Sequence, residues 1–116
     1  MTKPVGPYTP IVKAGPWLVS SGQVGIKDGA LVEGGIGAQC VQALENLKAL
    51  FESQGSSLDA ITKTTVFLTS MDHYGEMNEH YIAAFGDHRP ARSAVAVAEL
   101  PIGALVEIEA TAYVGP

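Results

Sequence analysis

An arginine that enters a run of small residues just after a proline, with two carboxylates on the next expected strand, could form an anion-binding corner. Residues 88–113 carry that pattern. The stretch reads His88-Arg89-Pro90-Ala91-Arg92-Ser93, then Ala94-Val95-Ala96-Val97-Ala98. A Glu99-Leu100-Pro101-Ile102-Gly103 turn then leads to Leu105-Val106-Glu107-Ile108-Glu109-Ala110-Thr111-Ala112-Tyr113. A guanidinium is permanently charged and grips a carboxylate through two parallel N–H bonds. A carboxylate opposite it can hold or deprotonate a water if the proton lies within about 3 Å or one water away. The plainer reading is an ion pair from Arg92 to Glu107 or Glu109 that only ties strands together. Spacing alone leaves both open.

The other candidates are weaker singly. Asn78 falls four residues after Tyr74 and three before Tyr81, on the apolar face of a helix. An amide there is a pocket group or, more commonly, a strut to the backbone. Tyr8 and Ser21 are pocket candidates at an arm and a strand end, where a packed tyrosine and a turn serine are the commoner outcomes. Cys40 sits on an apolar stripe and reads as a small hydrophobe. His73 and His80 share a helix face, but no Cys/His/Asp set completes a metal site, so no metal is expected. Gly34-Gly35-Ile36-Gly37 lacks the Gly-Lys-Ser/Thr of a phosphate loop and reads as a flexible lead into a helix. No Gly-x-Ser-x-Gly or Cys/His nucleophile pattern occurs.

The elements that must position these groups follow from periodicity. Ile11 to Ala14 and Trp17 to Ser21 predict a hairpin around Gly15-Pro16, after a proline-rich arm from Met1 to Pro10. Lys27-Asp28-Gly29 is a turn signal. Cys40, Leu44, Leu47 and Phe51 predict a helix over Gln39–Gln54 that Gly55 stops. Leu58 to Ser70 predicts a β-branched strand, and Asp72 is the expected N-cap of a second helix with Tyr74, Met77, Tyr81, Ile82 and Phe85 inward and Gly86 at its end. The two runs in residues 91–113 predict adjacent, paired strands. In the second, Val106, Ile108, Ala110 and Ala112 share one face, and Leu105, Glu107, Glu109, Thr111 and Tyr113 the other. The order β-β-α-β-α-β-β indicates an α+β sandwich of about six strands with both helices on one face of the sheet.

At 116 residues the chain predicts a single domain, 1–116. Hydrophobic residues make up 47% and charged ones 16%, which for a small monomer favours apolar subunit interfaces over the uncovered sheet face. The net charge of −5 and the absence of a lysine/arginine cluster argue against nucleic acid. No signal-peptide pattern and no apolar run of about 18 residues is present, and the lone Cys40 allows no internal disulfide, so a cytoplasmic protein with no membrane partner is expected.

Taken in order, the pieces form a set. They are Gly6-Pro7-Tyr8, Ser21-Gly22-Gln23, Gln42-Ala43-Leu44-Glu45-Asn46-Leu47, Lys63-Thr64-Thr65-Val66-Phe67-Leu68, Met77-Asn78-Glu79-His80-Tyr81, Pro90-Ala91-Arg92-Ser93, Leu100-Pro101 and Val106-Glu107-Ile108-Glu109-Ala110. From about Val5 to Tyr113 this set strongly resembles the RidA/YjgF family of reactive-imine deaminases. The resemblance implies a chorismate-mutase-like α+β fold and a homotrimer with sites in clefts between subunits. It also implies cofactor-free hydrolysis of 2-imino acids of the 2-iminobutanoate/2-iminopropanoate type to 2-oxo acids and ammonia. By the same resemblance, Arg92 binds the substrate carboxylate and Glu107 positions the attacking water, while Tyr8, Ser21 and Asn78 line the pocket. Ala94 stands where close members often have cysteine, and its backbone carbonyl can serve without a thiol. Two other readings remain: a non-catalytic trimer that binds small carboxylates or acts as a chaperone or regulator, and an endoribonuclease, which the acidic charge disfavours.

Overall fold

The computed structural model describes residues 6–116, so Pro4 and Val5 of the expected arm lie outside the described residues. The chain runs β1 (Ile11–Ala14), β2 (Trp17–Ser20), β3 (Ile26–Lys27), β4 (Ala30–Leu31), α1 (Gly35–Ser53), β5 (Ile61–Leu68), α2 (Tyr74–Phe85), β6 (Ala91–Ala96) and β7 (Val106–Tyr113). The main sheet has five strands in the order β1-β2-β7-β5-β6, and β3 and β4 form a separate two-stranded ribbon around the Lys27-Asp28-Gly29 turn. The α+β class and the hairpin hold; the count of about six strands becomes five plus a ribbon.

One pairing differs from expectation. β6 and β7 are not neighbours, because β5 lies between them, parallel to β6 and antiparallel to β7. The helix α2 carries the chain from β5 over one face into the parallel strand β6, as a parallel pair requires. The segment after β6 then returns to the far side of β5 through a 3-10 turn at Pro101–Gly103.

Two helix starts also differ. α1 begins at Gly35, not Gln39, and takes in the glycine-rich stretch. Ile36 is buried there, and a Cβ on Gly37 would sit 2.6 Å from Glu76 Oε2 and 2.9 Å from His80 Nε2 of α2. The glycine therefore lets the two helices approach. The helix ends where expected, with Gly55 just beyond it at a φ of 75°. At the second helix the capping group is Ser70, whose Oγ accepts from the Asp72 N–H at 3.1 Å; a 3-10 turn over Met71–His73 precedes α2. Asp72 thus sits within the first turn rather than at the cap.

Both helices cover the same face, as their single apolar stripes predict. Leu44, Leu47 and Phe51 of α1 meet Met77, Tyr81 and Phe85 of α2 over Val66, Leu68, Val106 and Ile108 of the sheet. Burial of each such side chain stabilises by roughly 1.5–3 kcal/mol. Tyr74 and Ile82, expected on that stripe, are exposed instead. Thr64 is fully buried and is satisfied by the Tyr81 hydroxyl at 2.7 Å. The Gln-x-x-x-Asn spacing in α1 has a structural use. Gln42 Nε2 donates to Asn46 Oδ1, and Asn46 Nδ2 donates to the carbonyls of Val24 and Ile26, which fastens the ribbon to the helix. The opposite face of the sheet carries Val12, Trp17, Val19, Val95 and Tyr113 exposed. No helix is long and apolar enough to cross a membrane among the described residues.

Candidate active site

Arg92 lies on β6, paired with Thr64 of β5. Residues paired across a parallel ladder share a face, so Arg92 follows buried Thr64 toward α2. There Nη1 donates to Asn78 Oδ1 at 2.8 Å and approaches Met77 Sδ at 3.8 Å, while Nη2 donates to the Tyr74 hydroxyl at 3.0 Å. The guanidinium carbon stands 4.9 Å from the Tyr81 ring centroid and 5.5 Å from that of Tyr74, a distance at which cation–π attraction acts. Every partner is uncharged. No carboxylate among the described residues pairs with Arg92, so the plainer alternative, an ion pair to Glu107 or Glu109, does not form. Asn78 is likewise not a backbone strut; it orients the guanidinium.

Ala94, two residues along β6, is half-buried on the same side. β6 is the outer strand, and the Val97 N–H donates inward to Leu68. By alternation along the strand, the N–H and C=O of Ala94 turn outward from the sheet edge beside Arg92.

Glu107 is elsewhere. On β7, Val106, Ile108, Ala110 and Ala112 enter the core and Glu107 and Glu109 project from the opposite face, as the period of two predicts. The Glu107 carboxylate lies against the backbone at Gly22, next to the bridge in which Gln23 and Ile108 exchange both N–H···O bonds, at 2.8 and 3.0 Å. The Leu105 N–H donates to Gln39 Oε1 of α1 at 2.8 Å and fixes the entry of that strand. Ser21 precedes Gly22. Its Oγ donates to the Thr9 carbonyl at 2.7 Å and its N–H to the Pro10 carbonyl at 2.8 Å, pinning the arm that carries exposed Tyr8. Arg92, Asn78 and Ala94 thus form one group on the helix face and edge; Glu107 lies on the opposite face against Gly22, next in sequence to Ser21, and Tyr8 is exposed on the arm that Ser21 holds. Within one chain the sheet stands between the guanidinium and the carboxylate.

Burial raises the Glu107 carboxyl above its ordinary value of 4.5, and the neighbouring Glu109 carboxylate adds to the rise. The folded chain therefore holds this proton more tightly than the unfolded one, and Glu107 costs stability as pH climbs from 4.5 through the raised folded value. Glu107→Gln removes that cost. Urea midpoints at fixed protein concentration should show the variant more stable than the parent at pH 7 and level with it near pH 4; a gap unchanged with pH would contradict this.

Two other features offer less chemistry. Cys40 is fully buried and its thiol is pushed up to about 12, first by burial and then by Glu76, so it is no nucleophile. A groove of about 480 Å³ between the outer faces of α1 and α2, lined by Glu45, Lys48, Glu52, Asp59 and His80 among others, holds none of the candidate residues. Among the described residues no group of three or more His, Cys, Asp or Glu could hold a metal ion. Tyr74 and Gly22 are the site neighbours that residue reading passes over, the first because it looks like core and the second because it has no side chain.

The family model described as Endoribonuclease L-PSP matches residues 1–114. The chain belongs to this family, RidA/YjgF. A RutC family protein of Pyrococcus horikoshii is 48% identical over 113 residues, spanning 96% of this chain and 90% of its own length. A 2-iminobutanoate/2-iminopropanoate deaminase of Mus musculus is 42% identical over 114 residues, 97% of this chain and 84% of its own. Among solved structures, RidA from an Antarctic Psychrobacter superposes with a TM-score of 0.92 at 41% identity, covering 96% of this chain and 91% of that one. RidA/YjgF relatives thus carry deaminase names in some cases and generic or endoribonuclease names in others.

Proposed function

We propose that this chain hydrolyses small 2-imino acids to 2-oxo acids and ammonia without a cofactor, in the cytoplasm. Its sites are formed where copies meet in a homotrimer. The observation that carries the reading is Arg92: a permanent cation held in place by Asn78, Tyr74 and Tyr81, all uncharged, with no carboxylate among the described residues to neutralise it. Such a group is preorganised for an anion, and the 2-carboxylate is the anion that every 2-imino acid brings. The deaminase name of the mouse relative supports the same reading.

The chemistry asks little more. A protonated imine is already electrophilic at C2, so orientation and a placed water outweigh a strong nucleophile. Arg92 holds the carboxylate; the outward backbone of Ala94 and the Asn78 amide fix its pose. Glu107 accepts a proton from water as its oxygen bonds to C2. Glu107 returns that proton to the carbinolamine nitrogen, ammonia leaves, and the hydroxyl proton passes to the Glu107 carboxylate and on to solvent as the C2–O bond becomes a carbonyl. Raised basicity suits Glu107 to this task near neutral pH. The sheet separates Arg92 from Glu107 within a chain, so a second copy laid against the site would supply the carboxylate, together with Tyr8 and Ser21. The apolar residues exposed on the open face suit contact between copies.

The acidic balance of the sequence, 7 lysines and arginines against 12 acids, disfavours the competing RNA-cleaving role. A carboxylate-binding module would share Arg92 but have no use for Glu107. The test is direct. An amino-acid oxidase acting on alanine or 2-aminobutanoate releases the imine in situ, and added protein should speed appearance of the 2-oxo acid over the buffer rate. Equal rates with and without protein would end the proposal.

A further inference from the structure

We infer that Gly22 is a positioning residue for Glu107: its missing side chain is the seat in which the carboxylate lies, and any larger residue there would displace the group that handles water. The inference deepens the deaminase reading and rests on it for its kinetic half.

A Cβ built on Gly22 would stand 2.1 Å from Glu107 Oε2, 2.6 Å from Cδ and 2.7 Å from Cγ. Its three closest neighbours are thus atoms of one side chain. Gly22 does not adopt the left-handed backbone region, unlike Gly29 or Gly34. Backbone freedom therefore gives no reason for glycine here, and space for Glu107 does. The position is also held firmly. Ser21 is tied to the Pro10 carbonyl on one side, and Gln23 exchanges two backbone bonds with Ile108 on the other. Gly22 cannot retreat, so a methyl group would move the carboxylate instead.

The seat has a second effect. A carboxylate lying against backbone is shielded from water on that side, in keeping with the burial that raises Glu107. Among the described strand residues, the charged groups sharing the face are Glu109 on β7 and Lys63 on β5, whose amine donates to Ser93 Oγ at 2.9 Å. Phe67, the β5 partner of Glu107, and residues 21–23 add no titratable group.

Gly22→Ala should lower kcat about 10- to 100-fold with KM within about twofold, since displacement by about 1 Å costs rates of that order while Arg92 still holds the carboxylate. In a Glu107→Gln background the same change should cost less than about twofold. Equal losses in both backgrounds would show a general structural effect and overturn the inference. Titration of the Glu107 carboxyl carbon by NMR should move toward 4.5 in Gly22→Ala, and an unmoved titration would also overturn it. That readout needs no turnover, so a wild-type protein that fails to hydrolyse imines sinks the deaminase reading without touching this half. If Gly22→Ala does not fold, Gly22→Ala with Glu107→Ala should fold as Glu107→Ala does, because the obstructing atoms are gone; failure of the double variant would refute the seat.

Discussion

Arg92→Ala is expected to lower kcat/KM for imine hydrolysis about 30- to 5,000-fold while the chain stays folded. Removing one partner of a desolvated, hydrogen-bonded charge pair costs roughly 2–5 kcal/mol, which sets that range. Most of the loss should appear in KM, because the carboxylate is held in the ground state as well as in the transition state. Folding should survive, since Arg92 sits on an edge strand and its partners Tyr74 and Asn78 are not fully buried. Arg92→Lys should recover only part of the activity, as an ammonium cannot bond Asn78 and Tyr74 and also grip a carboxylate with two parallel N–H groups. Steady-state kinetics beside thermal melts decide the matter. Arg92→Ala retaining more than about half of the parent activity would remove the guanidinium from the mechanism.

Glu107→Gln should act on the other kinetic constant. Loss of a positioned general base costs about 100- to 10,000-fold, and it should fall on kcat with KM almost unchanged. The pH profile gives an independent signature. In the proposed mechanism Glu107 works ionised, and burial raises its carboxyl above 4.5, so the parent rate should fall as pH drops through that raised value. The acid limb should be missing from the residual activity of the variant. A variant with full activity, or with the limb intact, would leave Glu107 without the role given to it here.

How far these residues could be found without coordinates depends on whether the signal is local. The two faces of β7 were legible because a strand alternates with a period of two, and four apolar residues against two glutamates leave one way to bury it. The hairpin of β1 and β2 was legible from its Gly15-Pro16 turn, and the stripe of each helix from a period of 3.6. The neighbour of β7 was not. Two runs joined by a Pro/Gly turn look like a hairpin, and the parallel pairing that sets β5 between them is arranged by α2 from far along the chain. Asn78 shows the same limit: its position in a helix was visible, but its partner comes from a strand fourteen residues later. The glycine-rich start of α1 misled because propensity was read without the packing that overrides it, namely buried Ile36 and the close pass of Gly37 under Glu76 and His80.

On the proposed mechanism, the interposed sheet would make each folded chain two halves of different catalysts, never one whole. On the proposed reading a copy lends its cation to one neighbour and its acid to another, and turnover belongs to the contact rather than to the polypeptide. Dilution to lone chains would then silence perfectly folded protein, and the weakest seam between copies, not the melting of any copy, would set the concentration below which activity stops.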